Sequence, residues 1–185
     1  MDRQPIFFYD LGSPQCYIVA ETVMAALPIV PEWEPVLAAE IAPGYTDVDR
    51  AEIESRAASL GLQPVRWPPR WPPETEAAML AATYAKLIGR AVAFSLAAYR
   101  QAFAGGRDLG ARDTILIAGA ACEMHPTALG KGIELRSTRQ ALQTATRRAR
   151  DAKVTTLPAI QVGDKTYQGL DALADAATAL NGAPR

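Results

Sequence analysis

Ser13 and Cys16 stand in the segment Asp10-Leu11-Gly12-Ser13-Pro14-Gln15-Cys16-Tyr17, which leaves an apolar run and enters a helix. Ser13 is a good N-cap, and Pro14 suits the first helical position. A helix start carries free N–H groups and the positive end of the dipole, so it stabilises a thiolate or another anion. Two-thiol exchange at such a place needs Cys-x-x-Cys. Here the outer position is a hydroxyl, which cannot form the mixed disulfide of that reaction. It can donate a hydrogen bond to an anionic sulfur brought by another molecule. The plainer alternative is that Ser13 only caps the helix and Cys16 is a buried thiol. This segment alone leaves both open.

The second chemical feature is Thr155-Thr156-Leu157-Pro158-Ala159. A proline at a strand start can carry a cis peptide. The N–H and C=O of Leu157 could then pair with a peptide-like ligand. The alternative is a trans proline that opens an edge strand.

Other chemistries are poorly represented. The chain has 185 residues, a net charge of −1 and 49% hydrophobic residues, which suits one domain or one domain carrying an insertion. The near-neutral balance gives no footprint for nucleic acid. No apolar run is long enough to span a bilayer. The start, MDRQPIFFYDLG, lacks the long apolar region of a secretory signal, so a cytoplasmic protein is expected. Two cysteines are too few for a disulfide scaffold, and one histidine excludes multi-His metal sites. Cys122, in IAGAACEM, reads as a small core residue. His125 reads as a helix-end residue near a C-terminal dipole. Arg147, Arg148, Arg150 and Lys153 read as a solvated face. Gly105-Gly106-Arg107-Asp108-Leu109-Gly110 is not a phosphate loop. Trp67 and Trp71 could line an aromatic pocket or pack a loop over the core.

The elements that must position Ser13 and Leu157 follow from local pattern. Residues 5–9 form a buried strand, and Pro14–Leu27 a helix. Residues 33–38 suggest a second strand, pushed towards an edge by Pro35. Asp49 caps a helix through Leu60, with Gly61 just beyond. Residues 64–73 hold five prolines and must be extended. Glu74–Ala104 is a long helical pattern with a candidate break at Gly89-Arg90. Asp113 caps a helix through Met124, stopped by Pro126, and Ser137 opens another to about Ala152. Ala159–Val162 and Lys165–Gln168 flank Gly163-Asp164, a hairpin signal. Leu170–Leu180 is the last helix. The order β-α-β, helical block, β-β-α predicts an α/β fold of the thioredoxin type: a four-stranded mixed sheet with an all-helical insertion between its halves. The expected division is a thioredoxin-like domain in 1–48 and 153–185, with the insertion and connecting helix in 49–152.

With these residues in order, the sequence resembles the DsbA-like thioredoxin superfamily. More narrowly it resembles the clade of 2-hydroxychromene-2-carboxylate isomerases and kappa-class glutathione transferases. The resemblance rests on FFYDLGSPQCY, GLQPVRWPPRWP and TLPAIQVGDKTYQGLDAL in this order. It implies that Ser13 is the catalytic, thiolate-stabilising residue. It implies that Leu157, Pro158 and Asp171 bind the cofactor, which is glutathione or another low-molecular-weight thiol. Leu157 would pair through its main chain, and Asp171 would hold the γ-glutamyl amine. Cys16, Tyr17, Arg66 and Trp67 would belong to the substrate pocket. The implied partner is a small aromatic or hydrophobic electrophile, with no nucleic acid, membrane or metal, and with room for a homodimer. The chain departs from the clade at Gln15, usually Tyr, and at Ala172, usually Arg. It also departs at Ala39–Gly44, where an Asn-x-Pro-Pro-like segment is absent. A thiol–disulfide oxidoreductase using Cys16 alone and a non-catalytic binding module are the alternatives.

Overall fold

In the computed structural model, which describes residues 4–182, the chain folds around a four-stranded sheet ordered β2-β1-β3-β4. Strand β1 (Ile6–Tyr9) runs parallel to β2 (Glu32–Pro35), with helix α1 (Pro14–Ala26) crossing between them. Strand β3 (Ala159–Val162) lies antiparallel to β1 and turns at Gly163-Asp164 into β4 (Lys165–Gln168). The closing helix α9 (Ala172–Gly182) packs on β3 and α1. The thioredoxin-type order expected from the pattern is therefore present.

Between β2 and β3 lie α2 (Ala38–Ile41), α3 (Arg50–Ser59), α4 (Glu76–Leu87), α5 (Ala91–Tyr99), α6 (Arg112–Ala121), α7 (Pro126–Glu134) and α8 (Arg136–Asp151). The break at Gly89-Arg90 is real, and α5 runs on into a wide π-type turn, Arg100–Ala104. Several local expectations are corrected. The second strand ends at Pro35; Val36 and Leu37 lie outside any element, and Ala38 already opens the short helix α2. Pro126 does not end a helical region; it is the first residue of α7. His125 is the N-cap of α7, and its Nδ1 accepts from the Thr127 N–H, so it does not sit at a C-terminal dipole. Asp113 lies in the first turn of α6 and caps nothing, because the helix begins one residue earlier.

Strand β1 is buried along its whole length. Phe7 and Tyr9 share one face by the two-residue period and stack at 5.3 Å. Trp33 meets Phe7 edge-on at 5.1 Å. From Tyr9 an aromatic string runs outwards through Tyr99, Tyr17 and Phe103 to Trp67, with ring centroids 5.6–6.3 Å apart. The Tyr9 hydroxyl pairs with Ser95 of α5 at 2.7 Å, which satisfies both buried groups. The sheet and the insertion thus share one core. At the far end of the sheet Glu34, nearly buried, accepts from both Lys86 of α4 and Arg148 of α8. That ion network ties α4 and α8 to β2, with Arg148 still exposed on the solvated face expected for it.

Candidate functional site

Asp10 ends β1 and organises the turn into α1. Its Oδ1 accepts from the Gly12 N–H at 2.8 Å, and its Oδ2 from the Ala38 N–H at 2.9 Å. The Thr75 hydroxyl donates to Oδ2 at 3.5 Å. One carboxylate therefore joins the β1–α1 turn, α2 and the start of α4. Burial pushes its pKa up from 3.8 to about 6, against the lowering effect of these hydrogen bonds. Gly12 is required by close approach. A Cβ there would sit 2.5 Å from Thr75 Cγ2 and 3.1 Å from Pro73 Cγ.

Ser13 caps α1 as expected, and its Oγ accepts from the Cys16 N–H at 3.2 Å. Its own N–H donates to the Asp10 carbonyl. Ser13 and Cys16 are both fully buried. Burial pushes the Cys16 thiol up to about 12, against a smaller lowering by Ser13 and the Asp10 main chain. At neutral pH Cys16 is a protonated core thiol, not a nucleophile. Cys122 is buried at the end of α6, where its Sγ–H reaches the Ala118 and Gly119 carbonyls.

The register Phe8 opposite Ala159 brings the Leu157-Pro158 corner beside the end of β1. The Leu157-Pro158 bond is cis. The Gln168 side-chain oxygen accepts from the Thr155 and Thr156 N–H groups, at 2.8 and 2.9 Å. Among the described residues nothing pairs with the Leu157 N–H or C=O. A cleft of about 140 Å³ lies there, lined by Gln15 on one side, Thr155–Leu157 on another and the turn at Pro43–Val48 on a third. The start of α1 and the cis-proline corner, far apart in sequence, thus share one cleft. Ser13 precedes Gln15 in the same helix start, and Pro158 directly follows Leu157.

The remaining expected residues are dispersed. Tyr17 stacks on Phe103 and lies tilted against Tyr99 in the core. Cys16 and Tyr17, like Ser13, are buried and line no part of the cleft at Leu157. The Arg66 N–H donates to the Phe103 carbonyl, while its side chain is exposed. Gly106, at φ +67°, passes so close that a Cβ would lie 3.2 Å from Arg66 Cβ. Trp67 and Trp71 meet edge-on at 5.3 Å, and the Arg50 guanidinium sits 4.6 Å from the Trp67 ring centre. Their indole N–H groups donate to Glu54 and to the Thr46 carbonyl. This cluster packs a loop against α3 and the turn at 43–48. Asp171 is exposed and pairs with Arg56 of α3 at 3.0 Å. Asp10 and Tyr45 are the residues that sequence reasoning passed over. Only burial and the shared cleft walls single them out.

A helix start and a cis-proline corner meeting at one end of a mixed four-stranded sheet define a thioredoxin-fold protein of the thiol-handling class, here with one thiol in its motif. The chain belongs to the DSBA-like thioredoxin domain family, whose profile matches residues 6–181. No curated protein sequence matches it. Among solved structures it resembles a 2-hydroxychromene-2-carboxylate isomerase, with TM-score 0.84 and 14% identity over 97% of this chain and 95% of that one. It also resembles a probable DsbA oxidoreductase from Streptomyces coelicolor, with TM-score 0.74 and 16% identity over 96% and 88%. A third is the cytosolic disulfide reductase DsbM from Pseudomonas aeruginosa with GSH, with TM-score 0.66 and 14% identity over 97% and 100%. At these identities the likeness is one of fold. Among the described residues no helix is long and apolar enough to cross a membrane.

Proposed function

We propose that this protein is a cytoplasmic thiol-dependent isomerase or transferase, of the 2-hydroxychromene-2-carboxylate isomerase and kappa glutathione transferase type. It uses the sulfur of an external small thiol such as glutathione. The observation that carries this reading is the chemistry at the start of α1. The outer motif position is the hydroxyl of Ser13, and the inner thiol, Cys16, is buried with its pKa pushed up to about 12. The chain therefore offers no thiolate of its own there. It does offer a helix start, an unpaired Leu157 main chain and a cleft between them.

In this mechanism a thiol-bearing peptide lies along Leu157 and pairs with its main chain just ahead of β3. Its sulfur enters beside Gln15 and meets the helix start, where Ser13 turns its hydroxyl proton towards it. The thiolate adds to a conjugated carbon–carbon double bond of a hydrophobic electrophile. The new single bond rotates, and expulsion of the sulfur restores the double bond. The thiol is regenerated and nothing is oxidised. Asp171, exposed and held by Arg56, is the acid offered to a ligand amine. The test is calorimetry and thiolate ultraviolet absorbance with a panel of small thiols, for wild type and Ser13→Ala. Loss of the charge-assisted hydrogen bond, worth about 1.5–3 kcal/mol, should weaken thiolate stabilisation by roughly tenfold to a hundredfold or slightly more. A bound-thiol pKa that is the same in both proteins would reduce Ser13 to a cap. Binding by no thiol in the panel would remove the reading.

A further inference from the structure

The cleft at Leu157 carries one ion. The turn at 43–48, its third wall, puts Asp47 there. Among the described residues no hydrogen bond or ion pair holds the Asp47 carboxylate. Its backbone is fixed on both sides. Gly44 takes φ +83° to make the turn, and the Asp47 N–H donates to the Gly44 carbonyl at 2.8 Å. The Trp71 indole holds the Thr46 carbonyl, and Asp49 caps α3 through the Ala51 and Glu52 N–H groups.

No lysine or arginine lines the cleft, and its other polar side chains, Gln15, Tyr45, Thr155 and Thr156, are uncharged. Two cations of the neighbouring segments are engaged elsewhere, Arg50 over the Trp67 ring and Arg56 on Asp171. Asp171 itself is not among the residues that line the cleft. The space therefore has two electrostatic ends. The start of α1, at Gln15, is the positive end of a helix dipole, and Asp47 is a negative charge on another wall.

We propose that Asp47 is the specificity-determining residue for the thiol, selecting a small aminothiol, whose ammonium it faces, over a thiol that carries a carboxylate. This rests on the thiol-dependent reading above and narrows it to one charge class. A cleft of about 140 Å³ is well below the range of about 300–1,000 Å³ that encloses a drug-sized ligand, so it takes the sulfur-bearing end and little more. A charge two carbons from the sulfur then falls within the field of Asp47. With its thiol ionised, an aminothiol presents an anion to the helix start and a cation to Asp47. A thiol acid presents an anion to both, and nothing on the walls neutralises the second one.

The test is amide-shift titration of the isotope-labelled full chain with cysteamine and with mercaptoacetate, its anionic counterpart of similar length. Salt is kept low, because exposed charges are screened at higher ionic strength. In wild type, cysteamine should shift the Leu157 amide saturably. Asp47→Asn should weaken cysteamine about two- to fivefold, the effect of one exposed ion pair. Attraction of one ligand and repulsion of the other multiply, so wild type should prefer cysteamine over mercaptoacetate by about four- to twentyfold. Asp47→Lys should reverse the order. A residue that only shaped the turn would weaken both ligands together. Melting curves check folding, and if Asp47→Lys unfolds, the ratio in Asp47→Asn decides. Equal affinities in wild type, or a ratio that neither variant changes, overturns the inference and leaves the thiol-dependent reading standing. No binding of cysteamine also overturns it, and binding of mercaptoacetate would then keep that reading alone. Ethanolamine, which has no sulfur, separates the two in the other direction. If it binds as well as cysteamine and with the same dependence on Asp47, the ammonium site stands and the thiol-dependent reading falls.

Discussion

Replacing Asp10 with asparagine should change how stability responds to pH. The carboxyl is buried, and its pKa rises from 3.8 to about 6 on folding. Below 3.8 both folded and unfolded chains hold the proton, and no penalty arises. Between 3.8 and about 6 the unfolded chain has released it and the folded chain has not, so stability falls as pH rises. At about 1.4 kcal/mol per pH unit the full loss is on the order of 3 kcal/mol. The nearest ionisable groups do not add to this window. Cys16 is pushed up to about 12, and Tyr9 and Tyr45 are raised by burial. The introduced amide has no proton to lose, but it keeps one acceptor where Asp10 has two. One of the Gly12 and Ala38 N–H groups is then left facing a donor, at a cost of about 1–3 kcal/mol. Asp10→Asn should therefore be clearly less stable than wild type at pH ~4 and close to it at pH ~7.5, because only wild type loses stability through this range. The assay is urea unfolding of both proteins across the range. A stability difference that stays constant with pH would refute the assignment of a neutral buried acid.

Gly12→Ala should lower stability by about 1–3 kcal/mol through overpacking against Thr75. Removal of the methyl in Gly12→Ala/Thr75→Ser should recover part of it; equal melting of the single and double variants would contradict this. Neither Cys16 nor Cys122 should react quickly with a disulfide reagent in the native protein at pH ~8, since buried thiols are poor nucleophiles. Both should react in denaturant, and one fast native thiol would revive the oxidoreductase alternative. Glu34→Gln should cost about 2 kcal/mol, because Lys86 and Arg148 keep only the partly exposed Glu32 as a carboxylate partner. A loss below about 0.5 kcal/mol in urea unfolding would show that solvent screens the network.

The sequence determined the elements whose signals are local. The helix start at Ser13-Pro14 is written in a capping side chain and a fixed φ, and the hairpin at Gly163-Asp164 in turn chemistry between two strand patterns. Their order then left few topologies, because a crossover makes β1 and β2 parallel and a hairpin makes β3 and β4 antiparallel. Where a local signal carries two meanings, the pattern misled. Pro126 serves equally as a stop and as a first helical residue, and only the packing of α7 against α4 selected the second. Past Pro35 the Val36 N–H still reaches Tyr9, but the Leu37 N–H goes to Thr146 and the Ala38 N–H to Asp10, 28 residues earlier, where α2 begins.

The site divides in the same way. Sequence spacing by itself put a hydroxyl where a reactive thiol could have been and a proline at the head of β3. Tertiary structure alone decided which groups are charged and which are reachable. The sequence left open whether Cys16 is buried and placed Tyr17 in a pocket; the fold buries both, Tyr17 against Tyr99 and Phe103. Asp10 reads as a turn residue, but three elements close over it and raise its pKa. Tyr45 carries no motif, and only the fold brings it to the wall of the cleft at Leu157. Burial and proximity arise from contacts between residues distant in the chain, and no local pattern records them.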